Sequence, residues 1–268
     1  MPPRIPSPSD FSQFPLIQLH PPSPPESTTT FLIVLHGLGD NPVSFCNFPK
    51  SLNLPGTYAI TVRGVNPLPQ GLVPEPVPEN GCWHWGDDLL LDQRTGELDQ
   101  DPGFQKAREA LWELIGGVIV GRLGWGWGDV ILFGYGQGGS VALGLGSELR
   151  RGQEKRVVDV SDGDGEGDGE GDGEGGKREL KGIVSVGGAL PVSMIPTVGG
   201  RGKVTTPTLV LCGEGGEVID DDAEEKLKEE FEDLRVVRWK GRRDDGMPRN
   251  REEVLPLMEF FAERLKHF

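Results

Sequence analysis

Side chains that serve as bases and thiol nucleophiles are scarce in this chain: 268 residues carry four histidines, three cysteines and two tyrosines. Cys46, Cys82 and Cys212 are odd in number and scattered, which excludes a disulfide scaffold and leaves no spaced Cys/His set for a metal. Met1 to Phe14 has no apolar stretch of the signal-peptide kind, so a reducing, cytoplasmic location is expected. No run approaches the ~18 apolar residues that cross a bilayer, so no membrane span is expected. Positive charge is short as well, with 27 Lys and Arg against 42 Asp and Glu and a net charge of −15. No Lys/Arg cluster offers a footprint for a polyanion, so nucleic acid and anionic membrane surfaces are poor partners. No metal or cofactor is expected.

What is abundant is glycine and proline, 41 and 23 residues. They are concentrated in particular stretches and leave enough apolar sequence for one core, and the length suits a single α/β domain over 1–268. Residues 1–27 are rich in Pro and Ser and read as an extended arm. Residues 159–176 alternate acidic residues with glycine and bury nothing, which predicts a disordered acidic insert. Eight of the carboxylates lie there, and their spacing matches neither an EF-hand loop nor a β-helix repeat.

Between these segments, nearly continuous apolar runs at Thr28–Leu35, Tyr58–Val62, Asp129–Phe133, Leu180–Val186, Thr208–Cys212 and Arg235–Trp239 predict strands buried on both faces. Helical spacing marks Phe104–Arg122 despite Gly116-Gly117, then Val141 to Arg151, Asp221–Leu234 and Arg251–Lys266. Strands alternating with helices predict an α/β fold, a mostly parallel sheet covered by helices on both faces. A long Pro- and Gly-rich loop, Gly64–Gly81, is the length at which loops become functional.

The third strand runs straight into Gly134-Tyr135-Gly136-Gln137-Gly138-Gly139 and then a helix. Strand, sharp turn and helix in that order form a nucleophile elbow, in which small flanking residues let the backbone turn and lift one side chain into a cleft. A serine is needed at the centre, and glycine stands there. Together with Phe31–Asn41 (FLIVLHGLGDN), Trp83-His84-Trp85-Gly86-Asp87-Asp88 and the strand leading into Gly213–Ile219, the motif resembles the phospholipase/carboxylesterase family, which includes acyl-protein thioesterases. The resemblance covers most of the chain from Thr28 onward and implies an α/β-hydrolase fold.

It also implies where a Ser–Asp–His triad would stand: Gly136 at the nucleophile, Gly216 at the acid and Arg249 at the base. All three are degenerate, Glu217 points elsewhere as a substitute, and no histidine lies between His84 and His267. Ser140 sits one turn into the helix, where its hydroxyl is better placed to bond a carbonyl. Cys212 reads as buried packing, and Cys82 beside His84 is the only Cys–His neighbour pair. His84, Asp87 and Asp88 read as loop anchors rather than metal ligands. What the resemblance leaves intact is an oxyanion hole formed by the backbone N–H groups of Leu38 and Gln137.

These readings point to a hydrolase-fold protein without an intact catalytic set, binding an acyl group, a carboxylate or a protein partner through the old substrate cleft. The competing expectation is an active carboxylesterase or acyl-thioesterase. A third is an interaction protein whose arm and acidic insert recruit partners.

Overall fold

A computed structural model of the chain describes residues 2–73, 75–89, 98–149, 178–197 and 202–265. The strands are β1 (Gln18–His20), β2 (Thr30–Leu35), β3 (Thr57–Val62), β4 (Asn66–Pro67), β5 (Trp83–His84), β6 (Val130–Tyr135), β7 (Gly182–Val186), β8 (Thr208–Gly213) and β9 (Leu234–Trp239). The α-helices are α1 (Pro42–Phe45), α2 (Asn47–Leu52), α3 (Gln105–Trp112), α4 (Gln137–Ser147), α5 (Asp221–Glu230) and α6 (Arg251–Arg264). Seven strands form one sheet in the order β1-β3-β2-β6-β7-β8-β9, parallel throughout except for β1. This is the mostly parallel α/β architecture that the alternating pattern predicts, and it agrees with the hydrolase fold that the resemblance implies.

The unbroken apolar runs are explained by two cores, one on each face. Phe31, Ile33 and Leu35 of β2 point to the face covered by α3 and α4, while Leu32 and Val34 point to the face covered by α6. With successive side chains on opposite faces, a strand sandwiched between helix layers has no position left that faces solvent. Every residue of β2, β3, β7 and β8 is buried.

Three features depart from the sequence reading. Residues 2–20 are not an extended arm. A 3₁₀ turn at Pro8–Phe11 buries Phe11 to 1% exposure, and Arg4 pairs with Asp10 at 2.5 Å. Trp125 Nε1 donates to Arg4 O at 2.8 Å, and β1 then closes the sheet edge against β3. One aromatic anchor outweighed the Pro/Ser composition on which the extended reading rested. The helix expected over Phe104–Arg122 is α-helical only to Trp112 and continues as a π-helix over Glu113–Arg122. The helix expected over Asp221–Leu234 stops at Glu230, because Phe231 extends to bridge Val204 and Leu234 already belongs to β9. The acidic insert and His267 lie outside the described residues. Among the described residues no helix is long and apolar enough to cross a membrane.

Candidate functional site: an elbow without its side chain

The site lies at the carboxyl ends of the central strands, where β6 hands over to α4. Gly136 adopts φ +52° and ψ −122°, a left-handed turn that lifts whatever it carries above the strand end. Its N–H donates to Val186 O at 2.8 Å, and its carbonyl accepts from Ser140 N at 3.0 Å. The flanking positions must be small: a Cβ on Gly134 would run into the backbone of Gly138, and one on Gly138 would sit 2.7 Å from the carbonyl carbon of Leu35. Gly136 itself is different. A Cβ there would meet a single atom within contact range, Gly37 Cα at 3.9 Å, so the space for a side chain is open.

Opposite the elbow runs the loop after β2. Gly37 packs against the ring of Tyr135, which brings the next residue, Leu38, alongside the turn. The Leu38 side chain is 40% exposed, and its N–H has no acceptor among the described residues. Gln137 opens α4, where a backbone N–H lacks an intrahelical partner. Its side-chain Oε1 accepts from Trp85 N at 2.7 Å, which ties the loop carrying β4 and β5 to the elbow.

His36, at the end of β2, is wholly buried. Its Nε2 accepts from Gly64 N–H at 2.9 Å, which leaves the proton on Nδ1 to be donated to Gly37 O at 2.7 Å. Both nitrogens are thereby used, and burial holds the ring neutral by pulling its pKa below the ordinary histidine range. His84 is buried in the β4–β5 ribbon, and its pKa is lowered first by burial and then by Lys106. Neither histidine follows β9, where the resemblance would place a triad base.

The positions that the resemblance assigns to the acid and the base, Gly216 and Arg249, follow β8 and β9, on the other side of β6 from the β2 loop. A Cβ on Gly216 would overlap Oδ1 of Asp245 and lie 2.5 Å from its Cγ, so the Asp245 carboxylate fills the space a side chain at 216 would take. That carboxylate accepts from Gly213 N at 2.9 Å and Val218 N at 3.3 Å, clasping the turn after β8. The backbone of Asp245 presses on Gly187, and Gly188 presses on Gly136 O and Ser140 N. The structure therefore brings Gly136 and Gly216 together through Gly188, Gly187 and Asp245. Arg249 stands farther out, its guanidinium making two 3.0 Å bonds to Asp244 and its side chain 63% exposed. Arg242, buried between Glu253 at 2.6 Å and Asp244 at 2.5 Å and lying over Trp239, fixes the rest of this loop. Glu217 is exposed. Asp245 escaped the sequence reading. The Asp244-Asp245 pair in the loop after the last strand was the available signal, but nothing local said which space it would fill.

The remaining nucleophile candidates are packed away. Cys212 is fully buried with its thiol pushed up to about 11 by that burial, which keeps it protonated. Burial also raises the Cys82 thiol, and all three cysteines are unpaired. Ser140 is buried in the first turn of α4. Among the described residues, no group of three His, Cys, Asp or Glu side chains is arranged to hold a metal.

Comparison with known proteins agrees with this geometry. The phospholipase/carboxylesterase family profile matches residues 21–161, just over half of the chain, including the β2 loop and the elbow. An uncharacterised hydrolase of Schizosaccharomyces pombe is 33% identical over 170 residues, 61% of this chain and 54% of that protein. The chain spans about half or less of the length of the curated relatives it matches. Among solved structures, esterase PE8 superimposes with a TM-score of 0.62 at 18% identity, covering 92% of this chain and 98% of that one. Acyl-protein thioesterase 2 of Zea mays does so with a TM-score of 0.58 at 16% identity, covering 93% and 98%. With the strand order, the strained turn and the matched segment all in agreement, the chain belongs to the phospholipase/carboxylesterase family of α/β-hydrolases.

Proposed function

We propose that this family member is catalytically inactive or severely impaired and that its cleft binds an acyl group or a carboxylate. The observation that carries this reading is the open, empty position at Gly136, with no imidazole among the described residues on the loop after β9. A serine hydroxyl is a weak nucleophile until a base removes its proton and a third group orients that base, so losing all three removes the covalent route. The backbone donors of Leu38 and Gln137 need no nucleophile to attract an oxygen, since amides at a helix start favour negative charge. A protein partner engaged through the same cleft or the acidic insert is a further element of the proposal. The cytoplasm is the proposed compartment, supported by three unpaired cysteines.

The reading is tested by assaying a short p-nitrophenyl ester and, separately, octanoate binding. The expected result is no hydrolysis above buffer, and octanoate binding that a Gly136→Trp block removes. Hydrolysis abolished by that block would favour the second reading, an active carboxylesterase or thioesterase. The preserved elbow backbone and the hydrolase names of the relatives support that second reading.

A further inference from the structure

One cation beside the elbow has no counter-charge among the described residues. Arg63 directly follows β3, level with His36, since Leu35 and Val62 are register partners at the ends of their strands. Its guanidinium lies over the Trp83 ring at 3.8 Å, its one side-chain interaction among the described residues. No carboxylate among the described residues pairs with it, and Nε is shut away from solvent without an acceptor. The nearby loop acid, Asp40, turns Oδ1 to Asn41 N–H at 2.7 Å instead. In a chain of net charge −15 an unneutralised, half-buried arginine is out of keeping. Leaving it so costs stability, a cost expected where a ligand supplies the missing charge.

The surroundings place Arg63 beside the cleft. Trp83 exchanges backbone hydrogen bonds with the β2 loop, Gly39 N–H to Trp83 O at 2.9 Å and Trp83 N–H to Asp40 O at 3.0 Å. Gly37, two residues before Gly39 in that loop, lies 3.9 Å from the place a Cβ on Gly136 would take. Arg63 and Gly136 follow strands separated by β2 alone, so their backbones are roughly 10 Å apart by ordinary strand spacing. The aromatic ring fixes the plane of the guanidinium, leaving its fork pre-oriented for a planar or tetrahedral oxyanion.

We propose that Arg63, stacked on Trp83, receives an oxyanion, a carboxylate or a phosphate, carried by the ligand at the end remote from the elbow. The proposal rests on reading the cleft as a ligand site and adds that the ligand carries an anionic group beyond the one or two atoms held at Leu38 and Gln137. Burial without a partner also draws the guanidinium pKa below its ordinary value, the direction an arriving anion would reverse.

The test is tryptophan fluorescence of the full chain, titrated with sodium phosphate and with sodium acetate at constant ionic strength. A saturable change with at least one anion is expected, weakened tenfold or more in Arg63→Gln and partly retained in Arg63→Lys. Response to phosphate alone identifies a phosphate-bearing ligand, and response to acetate as well identifies a carboxylate. Free phosphate and acetate need no acyl chain at the elbow, so the anion response can fail while octanoate binding holds, and the reverse, which makes failure of the elbow reading distinguishable from failure of this one. The Arg63→Gln variant should melt no lower than wild type, because it removes an unpaired cation. Linear responses to both anions, equal affinity in Arg63→Gln, or a lowered melting temperature for that variant would overturn the proposal. Should Arg63→Gln not fold, phenylglyoxal modification of the wild-type chain decides: phosphate is expected to protect Arg63 in the peptide map, and absence of protection overturns it.

Discussion

The two sides of the cleft have been treated differently. On one side, the β2 loop and the β6–α4 elbow form a tight turn with Gly136 at positive φ and open space where a side chain would stand. On the other, the turns after β8 and β9 are filled by charge: Asp245 occupies the space above Gly216, and Arg242, Asp244, Arg249 and Glu253 form a charged lattice around the position at which the family resemblance would put a base. Backbone geometry on the first side is enforced by close approaches that also hold the sheet to its helices. Nothing comparable enforces a triad carboxylate or imidazole on the second. The contrast teaches that close packing is reason enough for an elbow's backbone, so the turn by itself is weak testimony of catalysis.

The strongest way to break this comparison is at Gly134. If the elbow is held by packing, Gly134→Ala should destabilise the fold by about 3 kcal/mol or more, since the new Cβ has only backbone to displace. Denaturant unfolding measures this, and a change under ~0.5 kcal/mol would show the turn to be loose. Next comes the charge-filled side. Gly216→Asp should cost ~1–3 kcal/mol through its collision with Asp245, and Asp245→Gly in the same chain should recover much of it. Additive effects in that double-mutant cycle would mean that the two positions do not share one space.

A smaller effect sharpens the account of the first side. His36 has a folded pKa below its unfolded value, so its contribution is complete above the ordinary histidine pKa of about 6.5 and is lost as pH falls toward and through the lowered folded value. Unfolding free energy should therefore decline on acidification from pH 7 to pH 5, with a slope approaching ~1.4 kcal/mol per pH unit per histidine kept neutral. His36→Asn should flatten that slope whatever it does to absolute stability. Smallest of all, Gly136→Ser should cost only about 1 kcal/mol, from the positive φ rather than from crowding, and should bring no hydrolysis with it.

Much of the fold could be read from the chain because buried parallel strands leave an unbroken apolar signature, as in Thr30–Leu35 and Thr208–Gly213, and because a strand, a glycine-rich turn and a helix follow each other without a gap at Gly136. The docked N-terminus was hidden because its anchor is one aromatic residue, Phe11, whose pocket is built by segments more than a hundred residues away. The switch from α- to π-helix after Trp112 leaves the same apolar faces inward and so leaves the hydrophobic spacing legible as a helix of either kind. Asp245 and Arg63 were missed for a shared reason: an Asp in a loop and an Arg after a strand look ordinary until the fold shows one filling another residue's space and the other lacking a partner.

The central claim is that no activated nucleophile faces this cleft. A fluorophosphonate probe applied to the purified wild-type chain tests it most directly, since such probes react only with nucleophiles already activated by a neighbouring base. The account predicts no adduct on any serine or cysteine. Robust labelling that disappears when a single serine or cysteine is replaced would contradict it.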